Sequence, residues 1–159
     1  VYSIDTSALI SWWIRRYPTE VFPSLQKKIE ELIAAGKLHA SRMVLDELGA
    51  KPDPLFVWAK SQPGFVVAVS QGVSNRAAEL IGKYPILIDP QASRPQADPY
   101  VIALAETVQD GIVVTQETFA ATKTTGKRKK RPYIPDVCKV INVECIDFLD
   151  LMKREGWKF

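Results

Sequence analysis

Four acids in the sequence stand where a carboxylate is costly or where a parallel sheet would present one to a ligand. Asp5 follows the apolar run "VYSI", and Glu117, with Thr115, follows the run "GIVVT". Glu47 falls inside the helical stripe formed by Met43, Val44 and Leu48, and Asp98 begins the stripe of Val101, Ile102 and Ala105. A carboxylate on an apolar stripe costs several kcal/mol unless it finds a cation, a proton or hydrogen bonds, so Glu47 needs a partner. Asp5 and Asp98 each have an ordinary alternative: Asp5 could cap a following helix, and Asp98 before Pro99 is a standard helix start. If the four converge, they cannot all remain ionised without raised pKa values or a bound cation. Hard oxygen donors favour Mg²⁺ or Mn²⁺ over zinc. A carboxylate cluster holding such ions suits phosphodiester hydrolysis, in which the metal activates water, neutralises the phosphate and stabilises the leaving oxygen.

These acids need elements to position them. "VYSI" is expected to form a buried strand and "TSALISWWIRR" a short helix ended by Tyr17-Pro18. A second helix is expected over residues 19–35, with Phe22, Leu25, Ile29, Leu32 and Ile33 on one face and Gly36 as its stop. A strand "KLHAS" should lead into the helix "RMVLDELGA", with Asp46 pointing aside, and "DPLFVWAKSQ" is a further helix with an Asp-Pro start. The strand "GFVVAV", a helix at "SNRAAELIGKY", the helix "DPYVIALAETVQ" and the strand "GIVVT" follow. "YIPDVCKVINVECI" should contain a helix and a strand, and "DFLDLMKREG" a closing helix capped at Gly156. Alternation of this kind predicts an α/β fold with a mostly parallel sheet. Such sheets bind ligands beyond the carboxyl ends of their strands, where Asp5 and Glu117 lie. In that case Thr6 or Ser7 can take over the capping.

The 159 residues suit a single domain with a core large enough to need neither disulfides nor a structural metal. Cys138 and Cys145 form no CxxC pair and His39 is the only histidine, so zinc and thioredoxin-like chemistry are not indicated. Both cysteines are expected to be reduced. No apolar stretch reaches membrane-spanning length, and the first residues lack the basic flank and apolar core of a signal peptide, so a soluble cytoplasmic protein is expected. The net charge of +3 is concentrated in "KTTGKRKKR", whose six cations leave the rest of the chain net acidic. That segment is either a solvated loop or a polyanion contact.

The series "IDTSALI", "VLDELGA", "ADPYVIALAE" and "IVVTQE", in this order, resembles the PIN (PilT N-terminus) domain, the metal-dependent ribonuclease fold of VapC-type toxins. Further stretches, "WWIRRYP", "FVWAK" and "IPDVC" with "LMKREGWKF", are similar to a PIN-like subfamily of bacterial and archaeal proteins. The resemblance spans nearly the whole chain, read as one domain over residues 1–159. It implies a three-layer α/β/α fold with about five parallel strands, RNA as substrate, Mg²⁺ or Mn²⁺ as cofactor, and cleavage leaving a 5′-phosphate. Carried over by position, Asp5, Glu47 and Asp98 match the first three acids of the family, with Ser7 beside the first and Thr115 before the fourth. The fourth is usually Asp; here Glu117 stands in its place, and Asp136 in "IPDVC" competes for the role, although it could simply cap a short helix. In toxin members the resemblance further implies a protein antitoxin and dimer-based complexes.

On this basis Lys127, Arg128, Lys129, Lys130 and Arg131 are expected to hold an RNA backbone, a salt-dependent and sequence-independent contribution. Trp12, Trp13, Trp58 and Trp157 are either base-stacking platforms or packing residues. A haloacid-dehalogenase-type phosphatase would require a second Asp two residues after the first, where this chain has Ser7. A catalytically silent PIN-like module that binds RNA or protein is the rival from another class.

Overall fold

The computed structural model describes residues 1–93, 96–119 and 133–159. Among the described residues, five strands form one all-parallel sheet in the order β3-β2-β1-β4-β5. They are β1 (Tyr2–Ile4), β2 (Leu38–Ser41), β3 (Val66–Val67), β4 (Ile112–Val114) and β5 (Glu144–Ile146). The helices are α1 (Thr6–Ile10), α2 (Pro23–Ala34), α3 (Arg42–Gly49), α4 (Pro54–Ser61), α5 (Gln71–Lys83), α6 (Asp98–Glu106), α7 (Ile134–Ile141) and α8 (Phe148–Arg154). This is the α/β architecture expected from the alternating pattern, with helices covering the sheet as a three-layer fold. Buried β1 and β4 carry near-continuous apolar runs because a parallel sheet is covered on both faces.

The chain steps outward from β1 to β2 and β3, then returns to place β4 on the other side of β1. That reversal makes a switch point between β1 and β4, where loops leaving neighbouring strands diverge and open a crevice. The register pairs Ile4 with Val114, so Asp5 and Thr115 leave the sheet side by side. Helix α6 packs across β1, β2 and β4, and Ser3 Oγ donates to Val101 O at 2.8 Å across that seam.

Local chemistry explains where several boundaries differ from expectation. The second helix begins at Pro23 rather than residue 19, because residues 18–22 form a turn and Pro23 occupies the first helical turn. Helix α5 begins at Gln71, earlier than its apolar pattern indicates, because Ser70 Oγ accepts from Val73 N at 3.2 Å. The strand expected over residues 64–69 shortens to Val66–Val67 at the sheet edge. The first helix passes into a π-helical segment, Ser11–Arg16, which places Trp12 inside. The stops at Gly36 and Gly156 hold, with φ of 67° and 66°, left-handed values that glycine adopts without a Cβ penalty.

One hydrophobic cluster joins the sheet to the helices, and the tryptophans belong to it. Trp12 is fully buried, its ring centroid 5.2 Å from Trp13, 4.9 Å from Trp58 and 6.2 Å from Phe148. Trp157 is half-buried against the same core. The packing alternative therefore accounts for all four tryptophans. His39 is equally ordinary, its ring nitrogens each 3.1 Å from a backbone carbonyl oxygen, of Gly64 and of Gly36. Cys138 and Cys145 are free thiols, and the neighbouring Cys145, then burial, pushes the Cys138 thiol up. Among the described residues no helix is long and apolar enough to cross a membrane.

Candidate functional site

Asp5 sits one residue beyond β1 and is only 3% exposed. Three donors converge on its Oδ2: Ser7 N at 3.3 Å, Ser7 Oγ at 2.5 Å and Thr115 Oγ1 at 2.9 Å. Asp5 is thus itself the N-cap of α1, and the expectation that Thr6 or Ser7 would cap instead is corrected. The hydroxyls have other work. Ser7 Oγ lies 3.1 Å from Thr115 Oγ1 and accepts from Gln116 N at 3.0 Å, tying the end of β1 to the end of β4. Burial raises the Asp5 carboxyl above the ordinary range, and the Ser7 and Thr115 donors offset part of that rise.

Glu47 comes from α3, which starts where Ser41 Oγ accepts from Met43 N at the end of β2. Its place within the apolar stripe does turn it inward, while Asp46 points aside and pairs with Arg42 at 3.0 Å. The partners of Glu47 are neutral: Thr6 Oγ1 donates to Oε2, and Ala97 N donates to Oε1 at 2.8 Å. Burial raises its pKa, these two bonds lower it, and the charge of Asp5 raises it again. Neither Thr6 nor the Ala97 amide was identifiable from the sequence as a Glu47 partner, because both meet it only through tertiary packing.

Asp98 corrects a second capping expectation. The N-cap of α6 is Ala97, in a helical conformation, and Asp98 is already the first helical residue. Its side chain accepts no hydrogen bond from another described residue. Burial holds its carboxyl well above the usual range, and the charges of Asp5, Glu117 and Glu47 push it further. Asp98 is therefore close enough to each of the other three sequence-identified acids to feel its charge.

Glu117 stands three residues beyond β4, with its N–H donating to Thr115 Oγ1 at 3.1 Å and its Oε2 accepting from Ile134 N at 2.9 Å. Asp136 lies in the first turn of α7, where Oδ2 accepts from Tyr133 N at 2.8 Å, so its capping role is met. Lys127 to Arg131 lie outside the described residues. A residue the sequence did not single out is Gln116, whose Oε1 accepts from Phe148 N at 3.0 Å and so ties the site to the start of α8.

The donor set of carboxylates and hydroxyls, without imidazole or thiolate, fits a hard divalent cation in its chemistry. Among the described residues, however, no group of three or more His, Cys, Asp or Glu side chains is disposed to hold a metal ion as it stands. Asp5, Glu47 and Glu117 are each engaged by neutral donors, and Asp98 faces their charges without one from another described residue.

The raised carboxyls carry a stability consequence. A carboxyl whose folded-state pKa lies above its unfolded value contributes stability in full below about pH 4, and that contribution is lost as pH rises through the folded value. Asp98→Asn, measured in chelator, should therefore melt above the unsubstituted protein at pH 8, at about 2–4 °C per kcal/mol recovered, with the gap closing towards pH 4. A gap independent of pH would show that Asp98 is not under electrostatic pressure.

Fold and site together define a parallel α/β protein with a carboxylate cluster at its topological switch point. Its family follows from the sequence: residues 2–159 match the family described as Domain of unknown function (DUF4411), and the chain belongs to it. Searches of the curated proteins and of the solved structures return no match.

Proposed function

We propose that this chain is a PIN-like, Mg²⁺- or Mn²⁺-dependent endoribonuclease, acting in the cytoplasm as the toxin of a type II toxin-antitoxin pair. The observation that carries the reading is Asp98: a dehydrated carboxyl, excused from capping and pressed by Asp5, Glu47 and Glu117. Maintaining four acids in mutual repulsion costs stability, and a bound cation relieves that cost.

Asp5, Glu47, Asp98 and Glu117 would hold the ion or ions. A bound divalent cation supplies Lewis acidity at the phosphate and a more acidic water. The chain's own part is orientation. Ser7 and Thr115 occupy Oδ2 of Asp5 and leave Oδ1 outside those three bonds. The Thr6 hydroxyl and the Ala97 amide fix both oxygens of Glu47, so its charge is held in place by groups that do not cancel it. Ser7 also lies where a phosphoaspartate enzyme would need its acid, which disfavours phosphoryl transfer through Asp5.

The test is cleavage of a mixed RNA substrate in Mn²⁺ or Mg²⁺, with Asp5→Asn and Glu47→Gln as comparison proteins. Both substitutions should abolish cleavage, and equal activity in all three proteins would remove the assignment of the site. A second reading, a silent module that binds RNA or a protein such as an antitoxin or a second copy, is favoured by the engagement of Glu117 with Ile134 N and by the lack of a ready-made metal group among the described residues. Tight RNA binding without cleavage in either metal would select it.

A further inference from the structure

Beside Asp5 lies an open cleft of about 410 Å³, which Glu117 lines but Asp5, Glu47 and Asp98 do not. It starts at Thr115, Gln116 and Glu117, continues along Ile146 and Asp147 at the end of β5, and is bordered by Phe119 and Pro135. Its volume falls in the ~300–1,000 Å³ range of small-ligand sites, and it is open enough for a unit within a chain. One cation lines it and a second stands near its aromatic wall. Arg16, the last residue of the π-helical segment, lines the cleft, is exposed and makes no ion pair among the described residues. Lys139 Nζ lies 5.8 Å from the centroid of the Phe119 ring. The cleft therefore combines an aromatic face, apolar walls of Pro135 and Ile146, polar groups at Gln116 and Asp147, and cations outside. That combination suits a base with a phosphate attached.

We propose that this cleft is a subsite for one nucleotide of a single-stranded RNA, next to the phosphodiester presented to the carboxylates. The base lies against Phe119 between Pro135 and Ile146, and Arg16 receives the phosphate. Stacking on an aromatic side chain accepts any base, whereas the Gln116 amide and the Asp147 carboxylate offer a donor and an acceptor to the base edge. Asp147 Oδ1 already accepts from Asp150 N at 2.8 Å, which fixes the orientation of its carboxylate. Arg16 suits the phosphate because its guanidinium is always charged and forked.

The choice of ligand rests on the ribonuclease reading, but binding can be measured without cleavage. Uridine and adenosine 5′-monophosphates would be titrated in chelator by calorimetry, with amide chemical shifts locating the site. Shifts should centre on residues 115–119 and 145–147. Arg16→Gln should weaken both nucleotides by about tenfold while leaving the phosphate-free nucleosides unaffected, and Phe119→Ala should weaken nucleotides and nucleosides alike. Arg15→Gln, an exposed neighbour that does not line the cleft, should change nothing. Since Arg16 and Phe119 are both exposed, matching thermal melts would show that the fold persists. The subsite is overturned if neither nucleotide binds, if shifts map elsewhere, or if Arg16→Gln leaves the affinity intact. Cleft binding without RNA cleavage in Mn²⁺ would retain the subsite and remove the hydrolase; cleavage lost in Asp5→Asn with nucleotide affinity indifferent to Arg16→Gln would do the reverse.

Discussion

Asp5→Asn is expected to lower RNA cleavage by about a hundredfold or more, equivalent to ~2.7 kcal/mol of transition-state stabilisation, with little change in fold. Asn has the same shape, and its one carbonyl oxygen can take the place of Oδ2, accepting from Ser7 N, Ser7 Oγ and Thr115 Oγ1. The cap of α1 and the tie to β4 are thereby retained. What disappears is the negative charge, and an amide nitrogen stands where a cation would need an oxygen. Loss of cleavage with a melting temperature no lower than that of the unsubstituted protein therefore separates metal chemistry from structural damage. Cleavage of RNA at the unsubstituted rate would remove Asp5 from the site and leave it as a helix cap alone.

Gly111→Ala carries the largest expected effect on stability. A Cβ at this position would lie 1.9 Å from Ala105 O and 2.8 Å from Ala105 C, at the last turn of α6. The obstacle is backbone, so no rotamer change can relieve it. The neighbouring bonds leave little slack, since Gly111 N donates to Val108 O at 3.1 Å and Ile112 N to Val1 O at 3.0 Å. Overpacking of this kind costs about 3 kcal/mol or more, roughly 6–12 °C of melting temperature for a chain of this length. Gly82→Ala is the counterpart: it lies within α5, nothing stands within 4 Å of the added Cβ, and helix propensity should make it stabilising by up to ~1 kcal/mol. Equal melting temperatures for the two variants would show that α6 can leave β4 without cost.

The fold was legible where each element has a periodic apolar pattern bounded by its own stops. Strand β1, helix α3 and the ends at Gly36 and Gly156 follow from such local signals. Boundaries moved where a single turn or cap decided them, as at Pro23 and Ser70. Glu47 stood out because a carboxylate on an apolar stripe is an anomaly that pattern alone reveals, and Asp5 and Glu117 stood out by their place beyond apolar runs. Their partners did not. Thr6 meets Glu47 across 41 positions and Thr115 meets Asp5 across 110, distances in sequence that only the sheet order brings together. Asp98 shows the opposite error: Asp before Pro is so common a helix start that its spacing favoured a cap, whereas packing shifted that role to Ala97.

The strand order also sets a timetable. β1 lies at the centre of the sheet, yet one of its two neighbours arrives only with Ile112–Val114, long after β1 itself has been made. A nascent chain leaving the ribosome can pair β1 with β2 and bring Glu47 to Thr6, but it has neither Thr115 to orient Asp5 nor Asp98 until α6 and β4 emerge. Long-range parallel pairing is also among the slowest steps in folding. If the carboxylates cut RNA, synthesis itself delays the activity until α6 and β4 have joined β1 and α3.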